Sequence, residues 1–137
     1  MRDENCVFCK IIAGEIASTP VYEDEAVFAF LDINPNNPGH TLVVPKNHAR
    51  NIFDIEESDM KELSARVKKI AKAVKEGVSA DGINIAMNNE PAAGQLVFHA
   101  HIHVIPRFSN DGYKHWPQKS YKEGEAEIVA EKIKSHL

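Results

Sequence analysis

FHAHIHVIPR, residues 98–107, sets histidine at every second position and closes on Pro-Arg. Side chains on a strand alternate between its two faces. Reading residues 96–105 as a strand therefore gathers Val97, His99, His101, His103 and Ile105 on one face. Phe98, Ala100, Ile102 and Val104 share the other, which is wholly apolar and belongs against a core. Imidazoles two positions apart stand about 6.6–7 Å apart, so the row spans about 13 Å. That is long enough to touch several parts of one phosphate ester.

Three readings of the row compete. It could be incidental polar residues on a solvated face, although strict alternation of an uncommon residue weighs against this. An H-x-H pair on a strand also suits zinc. Neutral imidazole is, in addition, a nucleophile that can take up a phosphoryl group covalently.

Working outward, the spacing of Met60, Leu63, Val67, Ile70 and Val74 predicts an amphipathic helix over 58–76, capped by Ser58 and stopped by Gly77. Its apolar stripe is the natural cover for the apolar face of the histidine strand. Shorter runs predict strands at 21–23, 26–31, 40–45 and 82–87. A short helix is expected over 6–13 and a last one over 123–135, with NPNNPG (34–39) and NNEPAAG (88–94) as loops. Clustered strands favour an α+β domain with a mainly antiparallel sheet of about five strands.

The 137 residues suit a single domain, 1–137, with enough core to need no disulfide. A net charge of −4 argues against gripping nucleic acid by backbone charge, while backbone amides can still bind a small phosphorylated ligand. A polar N-terminus and the lack of a long apolar run point to a cytoplasmic protein without a membrane partner. The only two cysteines form Cys6-x-x-Cys9. Zinc binding, redox chemistry and simple burial are the readings of that pair. A thioredoxin-type motif needs a preceding strand, and five residues leave no room for one.

GQLVFHAHIHVIPR (94–107) resembles the histidine-triad motif of the HIT superfamily. CVFCKIIAGEI (6–16), VYEDEAVFAFLDINP (21–35) and GHTLVVPKNH (39–48) resemble the family's N-terminal half in the same order. The likeness is to bacterial-type, Hint-like members. It implies a homodimer that binds purine nucleotides and hydrolyses their conjugates at the α-phosphate, nucleoside phosphoramidates above all. By the resemblance His101 is the nucleophile, His103 holds the phosphate, and Gln95 and the backbone around Gly94 help to bind it. Asp32 resembles the residue that takes the ribose hydroxyls, a reading that the surrounding motif alone favours over its simply starting the turn that follows. Phe8, Phe30 and Ile33 resemble the base pocket, with ordinary core packing as the alternative. Asn88, rather than Asn89, is read as the site asparagine. Leu96 departs from the Ser or Thr that many members carry there, which bears on rate and leaving group. The resemblance also implies a structural zinc held by Cys6, Cys9, His48 and His99, so that His99 serves the metal while steadying the triad. A dinucleoside polyphosphate hydrolase, a weakly catalytic nucleotide sensor, and a zinc enzyme using the triad itself stand as alternatives. His40, His115 and His136 receive no role.

Overall fold

The computed structural model describes residues 1–137. A short helix α1 (Val7–Ile12) precedes strands β1 (Pro20–Glu23), β2 (Val27–Leu31) and β3 (Thr41–Pro45). The long helix α2 (Glu57–Gly77) follows, then β4 (Gly82–Ala86), one 3-10 turn at Pro91–Ala93, β5 (Ile102–Arg107) and helix α3 (Glu125–Lys134). The five strands form one antiparallel sheet in the order β1-β2-β3-β5-β4. The α+β class and strand number match the sequence expectation.

The sheet is covered on both faces. Val27, Ala29, Val43, Ile102 and Val104 pack beneath Leu63, Val67, Ile70 and Val74 of α2, the stripe read from the sequence. Phe28, Phe30, Leu42 and Val44 turn the other way, toward Cys6, Phe8 and Cys9 at α1. This explains why VFAFL and TLVVP are continuous apolar runs, since a strand buried on both faces has no polar side to alternate. His101 and His103 extend that second face, with His103 paired to Leu42 across the ladder. Asp24 fastens the β1–β2 turn to α2: its carboxylate accepts from the amides of Ala26 and Val27, from Tyr22 Oη and from Arg66 Nε.

The histidine segment departs from the expected 96–105 strand. The strand begins only at Ile102 and runs through Pro106 to Arg107. Upstream, the amide of Ala100 donates to Ala49 O at 2.7 Å instead of joining the sheet ladder. Phe98 leaves the expected core face; it is 39% exposed and lies under the Arg50 guanidinium at 4.3 Å. Pro106, which has no N–H to donate, is tolerated inside the strand because pairing with β3 has already ended at Val104, and its carbonyl accepts from Asn37 Nδ2 at 2.9 Å. Two caps also differ: Ser58 lies within α2, whose N-cap is Glu56, and Gly77 is its last residue rather than its stop.

The loop between β2 and β3 is pinned by Gly39 (φ +100°), where an added Cβ would stand 2.9 Å from Val78 Cγ1. Gly39→Ala is expected to destabilise the fold by roughly 1–3 kcal/mol through backbone strain alone, before any clash. Adding Val78→Ala should recover only part of the loss, as read from urea midpoints.

Candidate functional site

Residues near the N-terminus, the loop after β3 and the irregular run before β5 meet in one buried cluster. Cys6 Sγ lies 3.4 Å and Cys9 Sγ 3.6 Å from His99 Nδ1. His48 Nδ1 lies 3.5 Å from Cys9 Sγ and 3.3 Å from His99 Nδ1. Zinc bonds of about 2.3 Å to sulfur and about 2.05 Å to nitrogen give tetrahedral edges of about 3.3–3.4 Å (N···N) and about 3.5–3.6 Å (S···N). The four side chains thus fit a tetrahedral zinc ion. His99 Nε2 sits 2.8 Å from Pro45 O, an atom that can only accept, so the proton is on Nε2 and the Nδ1 lone pair faces the cluster. The Asp3 amide approaches Cys9 Sγ at 3.4 Å, and the Asp3 carboxylate lies 3.8 Å from His48 Nε2. Such outer partners orient metal ligands.

His101 carries the opposite tautomer. Its Nδ1 donates to the carbonyl of His99 at 2.6 Å, leaving the Nε2 lone pair free. Phe8 stacks edge-on against the ring, with centroids 5.2 Å apart. Burial pushes His101 below the usual histidine range, so it stays neutral at pH 7.

His103 is set by a residue the sequence reading passed over. The amide of Asn36 donates to His40 Nδ1 at 3.1 Å. The proton of neutral His40 is therefore on Nε2, and it donates to His103 Nδ1 at 2.9 Å. His103 in turn carries its proton on Nε2. Burial, then the neighbouring His101 and His40, lower His103 to about 4; burial also lowers His40. Asp32, His40 and His103 offer atoms close enough for a second metal, but a proton on His40 Nε2 occupies the position an ion would need. This group is a hydrogen-bond relay. The signal for His40 was available in part, because HTLVV alternates His40, Leu42 and Val44 onto one face.

A cavity of about 490 Å³ opens before the row, lined by Phe8, Phe30, Asp32, Ile33, Asn88, Gly94, Leu96, His101 and His103 among others. Its size suits a small ligand. Phe8 and Phe30 form a buried wall with ring centroids 5.3 Å apart, so they are core and cavity wall at once. Ile33 and Leu96 are exposed at the mouth. Asp32 also starts its turn: Oδ1 accepts from the Asn34 amide at 2.9 Å, while Oδ2 is 3.7 Å from His40 Nε2. Asn88 lines the cavity, whereas Asn89 is committed to the amide of Ile52 and the carbonyl of Met87. Gln95 corrects an expectation. It is buried outside the cavity lining, donating to Arg50 O and Val97 O and accepting from Asn51 Nδ2 and the Glu90 amide. Its side chain braces the loop and has no proton left for a phosphate.

A single sheet, covered on both faces, that aims neutral imidazoles of fixed tautomer into a small-ligand cavity beside a cluster of two cysteines and two histidines is the architecture of a histidine-triad protein. The HIT domain pattern matches residues 13–110. Protein hit of Bacillus subtilis is 50% identical over 111 residues, covering 80% of this chain and 77% of that protein. Adenylylsulfatase HINT3 of Arabidopsis thaliana is 40% identical over 107 residues, covering 78% and 54%. Among solved structures, SMU.412c from Streptococcus mutans superposes with a TM-score of 0.93 at 46% identity, covering 98% of this chain and 86% of that one. A zinc-bound histidine triad protein from Mycobacterium smegmatis superposes at 0.77 with 38% identity, covering 97% and 98%. The chain belongs to the HIT family.

Folding holds His40, His101 and His103 neutral, while the unfolded chain titrates them near the ordinary value of about 6.5. The unfolded state thus binds more protons below that value, so stability is full above pH 6.5 and falls as pH drops toward 4. Urea midpoints at pH 7.5 and pH 5 should differ in that direction, and His103→Gln should flatten the dependence.

Proposed function

We propose that this chain is a nucleotidyl hydrolase acting at the α-phosphate of purine nucleotide conjugates, of the nucleoside phosphoramidate type, with residues 1–137 as one HIT domain. The observation that carries the reading is the hydrogen bond of 2.6 Å from His101 Nδ1 to the His99 carbonyl. It leaves a neutral, buried Nε2 free to attack. Attack forms a phosphorus–nitrogen bond to His101 and breaks the bond to the leaving group, which departs with a proton from solvent. The carbonyl of His99 stabilises the positive charge that then develops on the ring. Water then attacks the phosphorus and gives up a proton to solvent, the phosphorus–nitrogen bond breaks with its electron pair returning to Nε2, and the mononucleotide leaves. His103 Nε2–H donates to a phosphoryl oxygen throughout, an arrangement fixed before the charge develops.

Asp32 accepts from the ribose hydroxyls, while Phe8, Phe30 and Ile33 flank the base. Asn88 and the Gly94 backbone border the phosphate, and Leu96 faces the leaving-group side without offering a hydrogen bond. Cys6, Cys9, His48 and His99 hold a structural zinc, which when bound supplies cross-linking energy rather than an open coordination position. The adenylylsulfatase name of the plant relative supports a nucleotide carrying a leaving group on its α-phosphorus. β4 is a sheet edge with Ile85 half exposed, and α3 leaves Ile128 and Ile133 exposed; both support a homodimer. No helix is long and apolar enough to cross a membrane, in keeping with a cytoplasmic enzyme.

Adenosine phosphoramidate and dinucleoside polyphosphates should be assayed side by side with wild type and His101→Ala. Wild type is expected to turn over the phosphoramidate faster, with the variant reduced at least about 10³-fold on both. A preference for polyphosphates would favour the dinucleoside polyphosphate hydrolase, and AMP binding without turnover would favour a sensor.

Purified protein should carry about one zinc per chain, and Cys6→Ser should lose it. Stoichiometric zinc in Cys6→Ser would rule out the four-residue site.

A further inference from the structure

The loop before β3 is held from a distant part of the chain. Asp111 is almost fully buried, and its Oδ2 accepts from Arg107 Nε (2.7 Å), the Phe108 amide (3.1 Å) and Asn37 Nδ2 (3.1 Å). Its Oδ1 accepts from Arg107 Nη2 (3.1 Å) and the Tyr113 amide (3.0 Å). Asn37 spends its second amide proton on Pro106 O at 2.9 Å, bolting the loop to β5. Tyr113 Oη donates to Asn36 O at 2.8 Å. The 107–113 turn therefore grips Asn36 and Asn37 together. Asn36 is the residue whose amide donates to His40 Nδ1.

We infer that Asp111 and Tyr113 are positioning residues that select the tautomers of His40 and His103. A neutral imidazole has one proton and two places for it. Nothing within the His40 ring or the His103 ring favours Nε2 strongly; Asp32 Oδ2, 3.7 Å from His40 Nε2, leans the same way, but the direct hydrogen bond that fixes the choice is the one from the Asn36 amide to His40 Nδ1. If that amide moves away, His40 can carry its proton on Nδ1 and stop donating to His103. His103 then loses its reason to keep a proton on Nε2, which is the proton facing the cavity. His101 is insulated from this path, because its tautomer is set by the carbonyl of His99. The tautomer assignment is independent of what the enzyme hydrolyses. Only its kinetic consequence rests on the proposed function.

The test uses full-length chain with ¹⁵N-labelled histidine, read by long-range ¹H–¹⁵N correlation at neutral pH. Wild type should show His40 and His103 as single Nε2–H tautomers and His101 as Nδ1–H. Asp111→Asn and Tyr113→Phe should each turn His40 and His103 into mixtures and leave His101 unchanged. On a nucleoside phosphoramidate, kcat should fall about tenfold in Asp111→Asn with KM little changed, a fraction of what a positioned proton donor contributes. The inference is overturned if both variants keep His40 and His103 wholly Nε2–H. It is equally overturned if His101 shifts with them, because the loss would then be general. Should Asp111→Asn fail to fold, Tyr113→Phe decides alone, since it removes one hydrogen bond from a half-exposed residue.

Discussion

The hydrogen bond from His99 Nε2 to the carbonyl of Pro45 is 2.8 Å long and fully buried. Breaking it would strand a donor and an acceptor away from water, which costs far more than the bond itself contributes. Much else follows from it. With the proton on Nε2, the Nδ1 lone pair must point at Cys6, Cys9 and His48. With the ring locked, the His99 carbonyl stands ready for His101 Nδ1. One residue thus ties the N-terminus, the central strand and the candidate nucleophile, and it does so through three different atoms. Before Ile102 the backbone leaves the sheet ladder, with the Ala100 amide donating to Ala49 O, while the His99 ring keeps its place between Pro45 O and the cysteine pair.

Burial supplies the second constraint. A charged imidazole on the α1 face would lack water, so His40, His101 and His103 all titrate below their usual range. Neutrality then makes tautomer the variable that matters. A cationic histidine donates from both nitrogens and cannot be a nucleophile; a neutral one is either donor or acceptor at each atom. The fold resolves this by giving each ring one partner of fixed character: a carbonyl for His99, a carbonyl for His101, and an amide acting through His40 for His103. The alternation of faces in FHAHIHVIPR is therefore followed by an alternation of tautomers, Nε2–H, Nδ1–H, Nε2–H.

Periodicity alone predicted α2, its buried stripe and the strands β2 and β3, because their apolar spacing is forced by a two-sided sheet. Asp32, Asn88 and Gly94 line one cavity from separate stretches of loop, and no local pattern links them, so only the family resemblance brought them together in the sequence. Gln95 and Phe98 were misread for a physical reason. Both lie in the stretch where the backbone leaves the ladder, so strand alternation no longer says which way a side chain points. His40 was passed over because its importance lies in pairing register. Leu42 faces His103 across β3 and β5, and His40 stands two residues earlier on the same face. Sequence spacing gives the face but not which strand lies next door.

The same logic separates the two clusters of potential ligands. At Cys6, Cys9, His48 and His99, the second nitrogen of His99 meets a carbonyl, which frees the inward atom to bind a cation. At Asp32, His40 and His103, the second nitrogen of His40 meets an amide, which forces a proton onto the inward atom. The distances in the two groups are similar enough that proximity alone would treat both as metal sites. A single backbone group behind each imidazole, acceptor in one case and donor in the other, leaves one histidine with a lone pair facing its cluster and makes the other a proton-bearing link.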